Sequence, residues 1–246
     1  MRLQGKTAIV TGAAQGFGAG IARRFAEQGA RVMVADIQGE AAAKMAAEID
    51  GIGCAVDVGD GASVQAMVEA ANAAFGQVDI LVNNAGISHM PKPMEEVTEE
   101  EFDRVLRVNA KSVYLTARAL VPAMKARKSG AICNISSTAG ISPRPNLNWY
   151  NASKGWMMTA TQTMAIELAP LGIRVNAVNP VAGETPLLPT FMGEDTPEMR
   201  AKFLSTIPLG RLSTPLDIAN AALFLCSEEA SMVTGVCLPV DGGRCI

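Results

Sequence analysis

The sequence predicts an α/β fold: one domain on a seven-stranded parallel sheet, doubly wound so that helices cover both faces. Three observations carry that expectation. Short apolar runs alternate with segments of helical composition along the whole chain, and strands that alternate with helices pair in parallel through crossovers. A glycine cluster follows the first apolar run directly. No repeat or low-complexity linker interrupts the 246 residues, a length that α/β folds routinely carry as a single domain.

The expected strands are residues 7–10, 31–35, 53–56, 80–82, 131–135, 174–178 and 236–240. After the first comes Thr11-Gly-Ala-Ala-Gln-Gly-Phe-Gly18, then a helix with Ile21, Ala22, Phe25 and Ala26 on one face, stopped by Gly29. Glycines there let the backbone turn tightly and approach a pyrophosphate at a helix N-terminus. With a strand before, a helix after and Asp36 closing the second strand, the cluster reads as a dinucleotide site. A carboxylate at Asp36 accepts hydrogen bonds from a free ribose 2′-hydroxyl and repels a 2′-phosphate, which favours NAD over NADP.

Asn83-Asn-Ala-Gly86 ends the fourth strand, beside the first in a doubly wound sheet, at the crevice where ligands bind. Thr98, three glutamates and then Phe102, Val105 and Leu106 form a capped helix start. Asn109 sits in the apolar continuation, where a mediocre helix former needs a buried polar contact. Pro122 bends that helix or marks its last turns. Residues 131–135 deliver Ser136 and Ser137 to the cleft, and strand alternation lets only one of them face a substrate.

Tyr150-Asn-Ala-Ser-Lys154 places a phenol and an ammonium on one helix face. A lysine beside a tyrosine favours the phenolate, bringing a pKa of about 10 towards neutrality and making a poised acid/base. Residues 152–168 are hydrophobic or small almost all round, with Trp156, Met157, Met158, Met164 and Ile166 spread over the circumference. Such a helix is buried on both sides, so a homo-oligomer, tetramer or dimer, is expected. Residues 184–210, rich in Pro, Thr and Glu with a short helical signal at Pro197–Leu204, suit a mobile substrate lid. The turn at Asp241-Gly-Gly243 is expected at a subunit contact.

These motifs together resemble the classical short-chain dehydrogenase/reductase family. Thr11-Gly-x-x-x-Gly-x-Gly18, Asn83-Asn-Ala-Gly86, Ser137 and Tyr150-x-x-x-Lys154 stand in the family's order, and the likeness runs from about Lys6 to the C-terminus. The resemblance implies a Rossmann fold and a catalytic set of Asn109, Ser137, Tyr150 and Lys154. The family's interval of thirteen residues between serine and tyrosine selects Ser137 over Ser136, and its asparagine holds a water beside the lysine through its backbone. Cofactor contacts are implied at Gly12, Gln15, Gly16, Phe17, Gly18, Asp36 and Ile37. Asp57 and Val58 would flank the adenine, Asn84, Ala85 and Gly86 would line a ribose, and Pro180, Val181 and Thr185 would lie on the nicotinamide side. Gln15 stands where NADP-preferring members often carry arginine. Val181 stands where members commonly have glycine.

Composition excludes other classes. The five cysteines have no close pair with metal-ligand spacing and His89 is the one histidine, so a His/Cys metal site lacks ligands. An odd cysteine count suits reduced thiols in a cytosol. Net charge −3 with scattered basic residues argues against a nucleic-acid surface. No apolar stretch reaches the roughly 18 residues of a membrane span, and nothing points to secretion; a cytoplasmic protein is expected. Ser88, His89, Met90, Pro143, Arg144, Asn146, Leu187 and Leu188 are expected to edge the substrate pocket, where Arg144 could pair with a carboxylate or phosphate. That edge fits a sugar-derived alcohol, a hydroxy acid or a small hydroxy-ketone. A carrier-bound 3-oxoacyl reductase using NADPH is the rival within the family. A non-catalytic dinucleotide-binding regulator is the rival outside it, and would not need Asn109, Ser137, Tyr150 and Lys154 together.

Overall fold

Buried parallel strands are apolar on both faces, and β1 (Thr7–Thr11) is buried at every position. Around it lie β2 (Arg31–Asp36), β3 (Ile52–Ala55), β4 (Ile80–Asn83), β5 (Gly130–Ile135), β6 (Ile173–Pro180) and β7 (Cys237–Val240). In this computed structural model, which describes residues 1–246, they form one parallel sheet in the order β3-β2-β1-β4-β5-β6-β7. The expected seven-stranded Rossmann architecture is therefore present. Ala8 and Val10 pack into a layer with α1 (Gly16–Glu27), α2 (Gly39–Ala47) and α9 (Pro215–Cys226), whereas Ile9 between them faces the layer of α3 (Gly61–Phe75), α5 (Ser112–Arg127) and α6 (Asn148–Leu168). No helix is long and apolar enough to cross a membrane.

Several boundaries differ from expectation. The third strand lies one residue earlier, at Ile52–Ala55, and β6 runs on to Pro180, so Asp57 and Pro180 both fall at the C-terminal rim of the sheet. Helix α6 begins at Asn148, so Tyr150 stands in its first turn, as expected of a helix that opens at this motif. The helix is also less apolar around its outer face than expected. Lys154, Met157, Thr161, Ala165 and Leu168 are buried, while Thr159, Gln162 and Thr163 join Trp156 and Ile166 on the exposed side.

The capped start at Thr98 is present: α4 (Glu99–Leu106) opens with a capping box in which Thr98 accepts from the Glu101 N–H and the Glu101 carboxylate accepts from Thr98 N–H. A π-type turn at Arg107–Lys111 joins it to α5. Pro122 lies inside α5, five residues before its last residue, Arg127.

The segment 184–210 contains two helices, α7 (Leu188–Met192) and the expected α8 (Pro197–Leu204). Val181, Leu188, Met192, Phe203, Ile207 and Leu212 form a small core of their own there, separate from the two main layers. Val181, in the position where the family commonly has glycine, is a member of that core.

Helix α9 is held at its N-terminus by Thr214 and Asp217 in a second capping box, and Arg211 grips both Asp217 oxygens at 2.6 and 2.8 Å. Chiefly through that guanidinium, the Asp217 carboxyl is held far below its usual range. Its folded pKa lies below its unfolded value of about 3.9, so the stabilisation is complete above pH 4 and fades as pH falls further. Asp217→Asn should cost about 1 kcal/mol at neutral pH, and that gap should close on acidification in denaturant titrations. A gap independent of pH would contradict the assignment.

Candidate active site

In an open α/β sheet a ligand crevice forms at the strand C-termini where the order reverses, here between β1 and β4. A cleft of about 360 Å³ lies there. Its wall contains Gly12, Gln15, Gly16, Phe17, Asp36, Ile37, Asp57, Val58, Asn84, Ala85, Gly86, Ser137, Tyr150, Lys154, Pro180, Val181 and Thr185. Of the expected catalytic and cofactor residues, all line this one cleft except Gly18 and Asn109.

The glycine loop is a backbone cradle. Gly12 has φ +60°, and a Cβ there would lie 2.8 Å from the Ala85 Cα; at Gly18 it would lie 2.3 Å from the Gly12 carbonyl oxygen. Gly18 thus permits the loop's close packing without touching the cleft. The Asn84 carboxamide donates to the carbonyls of Thr11 and Gly12 at 2.8 and 2.9 Å, so its side chain ties the two cofactor loops together. Asp36 also holds the loop, accepting from the N–H groups of Ala14 and Gln38 at 3.1 and 3.0 Å. Beside it Ile37 is 72% exposed, an apolar surface suited to a flat ring. Asp57 is turned aside, gripped by Arg107 at 2.5 Å. A left-handed turn and two interlocked glycines leave room that any Cβ would fill, with a carboxylate and an open apolar shelf beyond: these residues fit a dinucleotide.

At the other end Tyr150 is 5% and Lys154 3% exposed. Ser136 is spent on the Lys154 carbonyl, to which its hydroxyl donates at 2.9 Å. Ser137, whose Oγ accepts from the Ala139 N–H at 3.0 Å, is the one that lines the cleft beside Tyr150 and acts on its phenol. Lys154 Nζ donates to the Ile135 carbonyl at 2.9 Å and stands 5.9 Å from the Tyr150 ring centre. Gly86 leaves space for it, since a Cβ there would sit 3.3 Å from Nζ.

The expectation that the lysine lowers the tyrosine's pKa is overturned for the chain by itself. Burial pushes Tyr150 up to about 12, with the Ser137 hydrogen bond pulling the other way. Burial also pushes Lys154 down to about 8. Taking the phenolate out of water disfavours it, and the lysine, itself desolvated and aimed at the Ile135 carbonyl, does not offset that.

Asn109, fully buried in the π-type turn, accepts from the Ile87 N–H and donates to the Ile87 carbonyl, both at 2.9 Å, and to Ser153 Oγ at 3.0 Å. Its side chain welds α4–α5, the loop after β4 and α6 into one frame. That is the buried polar contact its position demanded.

The pocket edge departs from expectation. Arg144 and Leu187 line the cleft; Ser88, His89, Met90, Pro143, Asn146 and Leu188 do not. Ser88 and His89 are buried, and the His89 Nδ1 contacts its neighbour's carbonyl, Met90 O, at 2.8 Å, so the loop after Gly86 folds inward. Leu188 faces the small separate core it forms with Val181, Met192 and Phe203. Phe191 and Phe203, from α7 and α8, line the cleft instead, and the Phe191 ring lies 5.0 Å from that of Tyr150. Asn151 and Leu147 line it too. The apolar spacing of Leu188, Phe191, Phe203 and Ile207 was the available signal.

Comparison with known proteins agrees with this geometry. Residues 12–244 match the family model described as Enoyl-(Acyl carrier protein) reductase. The chain is 51% identical to the 4-formylbenzenesulfonate dehydrogenase of Comamonas testosteroni, over 99% of each chain. Its structure superposes with TM-score 0.94 and 53% identity on a 3-ketoacyl-(acyl-carrier-protein) reductase from Brucella melitensis complexed with NADH, covering 99% of this chain and 100% of that one. A short-chain type dehydrogenase/reductase from Mycobacterium marinum matches with TM-score 0.91 and 34% identity, covering 98% and 96%. With the family model spanning residues 12–244 and these relatives matching along nearly the full sequence on the same fold, the chain belongs to the short-chain dehydrogenase/reductase family of oxidoreductases.

Proposed function

We propose that this oxidoreductase is NAD-dependent and interconverts a secondary alcohol and a ketone on a small polar substrate. The observation that carries the reading is the convergence of Ser137, Tyr150 and Lys154 at one end of a cleft whose other end is the glycine cradle and Asp36. NAD, when bound, supplies the hydride acceptor and a pyridinium charge. Tyr150 takes the hydroxyl proton during oxidation and returns it during reduction. Ser137 orients the substrate oxygen through its hydroxyl, which lines the cleft beside the phenol. Lys154 holds its ammonium at the Ile135 carbonyl, within reach of the cofactor ribose. Asn109 fixes the frame behind it and anchors the water route by which the proton leaves. Phe191 caps the phenol against bulk water.

Asp36 supports NAD: both oxygens already face backbone donors, and its charge opposes a 2′-phosphate. The NADH-bound relative agrees. At equal concentration, turnover with NAD should exceed that with NADP by about tenfold or more, the difference that 1.4 kcal/mol of repulsion produces. Preference for NADP would instead favour the rival reading, a reductase of carrier-bound 3-oxoacyl chains, which the name of the Brucella structure supports. A screen of secondary alcohols, sugars and hydroxy acids for NADH absorbance tests the reaction. No turnover with any of them or their ketones would leave only a nucleotide-binding protein.

The exposed Trp156 and Ile166 on α6, at 44% and 77%, with Tyr114 on α5 at 53%, support a homo-oligomer through this face. Five free thiols support a reducing, cytoplasmic setting.

A further inference from the structure

Two arginines without a carboxylate partner stand near one another beside the cleft, one of them in its wall. Arg144 lines the cleft, its guanidinium carbon 4.0 Å above the centre of the Phe203 ring and one nitrogen 3.4 Å from Thr206 Oγ1. Arg244 comes from the C-terminal turn and donates to Ser142 Oγ at 3.0 Å, and Ser142 lines the same cleft. None of the chain's ion pairs includes either arginine. The nearest acid in sequence, Asp241, accepts from the N–H groups of Gly243 and Cys245 at 3.0 and 2.9 Å. Arg244 Nε is buried without any partner.

Such an arrangement is costly for the chain alone. Burial first, and then the charge of Arg244, pull Arg144 down to about 10. Elsewhere arginines find carboxylates readily, as Arg107, Arg200 and Arg211 do. Arg144 is nevertheless held firmly. It stands between Pro143 and Pro145, whose rings fix φ on both sides. Its carbonyl accepts from the Asn151 carboxamide at 2.7 Å, and Asn151 directly follows the Tyr150 acid/base. The backbone that carries the guanidinium is therefore tied to the helix that carries the phenol, and its head rests on Phe203 and Thr206.

We propose that Arg144, assisted by Arg244, recognises an oxyanion on the substrate, a carboxylate or sulfonate carried on an apolar body that lies against Phe191 and Phe203. The inference rests on the oxidoreductase reading and narrows it to anionic alcohols, of which hydroxy acids are one kind. A guanidinium fork meets an oxyanion with paired charge-assisted hydrogen bonds, and binding removes the repulsion between the two cations.

Turnover and binding test it separately. With NAD, para-sulfonated and para-carboxylated phenylethanol should be oxidised with kcat/KM about ten- to a hundredfold above unsubstituted phenylethanol, the two anions telling which oxyanion is preferred. Arg144→Met should remove that advantage by raising KM for the anionic alcohols at least about tenfold more than for neutral phenylethanol, Arg144→Lys should restore part of it, and Arg244→Met should have a smaller effect. Independently of turnover, benzenesulfonate should protect the NADH-loaded wild type against thermal unfolding by roughly 5 °C at a hundredfold excess over Kd, should protect Arg144→Met far less, and benzenesulfonamide should protect neither. Binding of benzenesulfonate without any turnover would uphold the oxyanion site and sink the reaction. Equal use of neutral and anionic alcohols by the wild type, or an Arg144→Met that weakens both alike and lowers Tm, would overturn the site and leave Arg144 as a staple for α8.

Discussion

Replacing Tyr150 by phenylalanine is expected to lower kcat for alcohol oxidation by about 10²- to 10⁴-fold, the usual worth of a positioned acid/base. NADH affinity should be little changed, because the lost hydroxyl stands beside Ser137 and makes no bond to the glycine cradle. The pH profile carries the sharper information. Oxidation needs the phenolate and reduction the phenol, so the oxidation rate should climb with pH and the reduction rate should fall. In the chain alone the phenol is pushed up to about 12, and a rise centred well below that in the working enzyme would measure what the bound cofactor's charge and Lys154 contribute. Tyr150→Phe should flatten both profiles. A variant that turns over normally, or whose pH dependence matches the wild type, would take the proton-transfer role away from Tyr150.

Gly18→Ala is expected to have the other large effect. The added carbon would meet the Gly12 carbonyl oxygen at 2.3 Å, Asn84 Nδ2 at 2.5 Å and the Ala13 Cα at 2.8 Å. Two of those three are backbone and cannot rotate away. The loop must open, and opening it parts Asn84 from the Thr11 and Gly12 carbonyls. Overpacking of this kind costs roughly 1–3 kcal/mol, about 2–4 °C in Tm per kcal/mol for a chain of this size. NADH affinity, read by fluorescence titration, should fall about a hundredfold or more, because the cradle's geometry and not its charge holds a pyrophosphate. Wild-type affinity in that variant would mean the nucleotide binds elsewhere.

The sheet was legible because strands buried on both faces become unbroken apolar runs, as in Thr7–Thr11 and Ile80–Asn83. The glycine cradle was legible because left-handed φ and close backbone approach admit few other residues. Ser137 was separable from Ser136 only through the family's interval; either serine satisfies strand alternation, and the hydrogen bond of Ser136 to the Lys154 carbonyl appears only in three dimensions. The direction of the Tyr150 shift was misread for a related reason. Spacing reports that a cation is near, but not that both groups lose water together. Helix α7 was missed because it is five residues long with Pro189 at its start, too short to show a period. Ser88 and His89 look like pocket loop in sequence, and nothing short of the packed structure shows them turned inward.

The small core built from Val181, Leu188, Met192, Phe203, Ile207 and Leu212 shares no member with the layers that hold the sheet. Changes of shape inside it can tilt Phe191 and Phe203 without loosening the scaffold that carries the chemistry. Selection can therefore retune which molecules gain entry while the machinery beneath stays intact, and directed evolution of new selectivity has an obvious first library in those six positions.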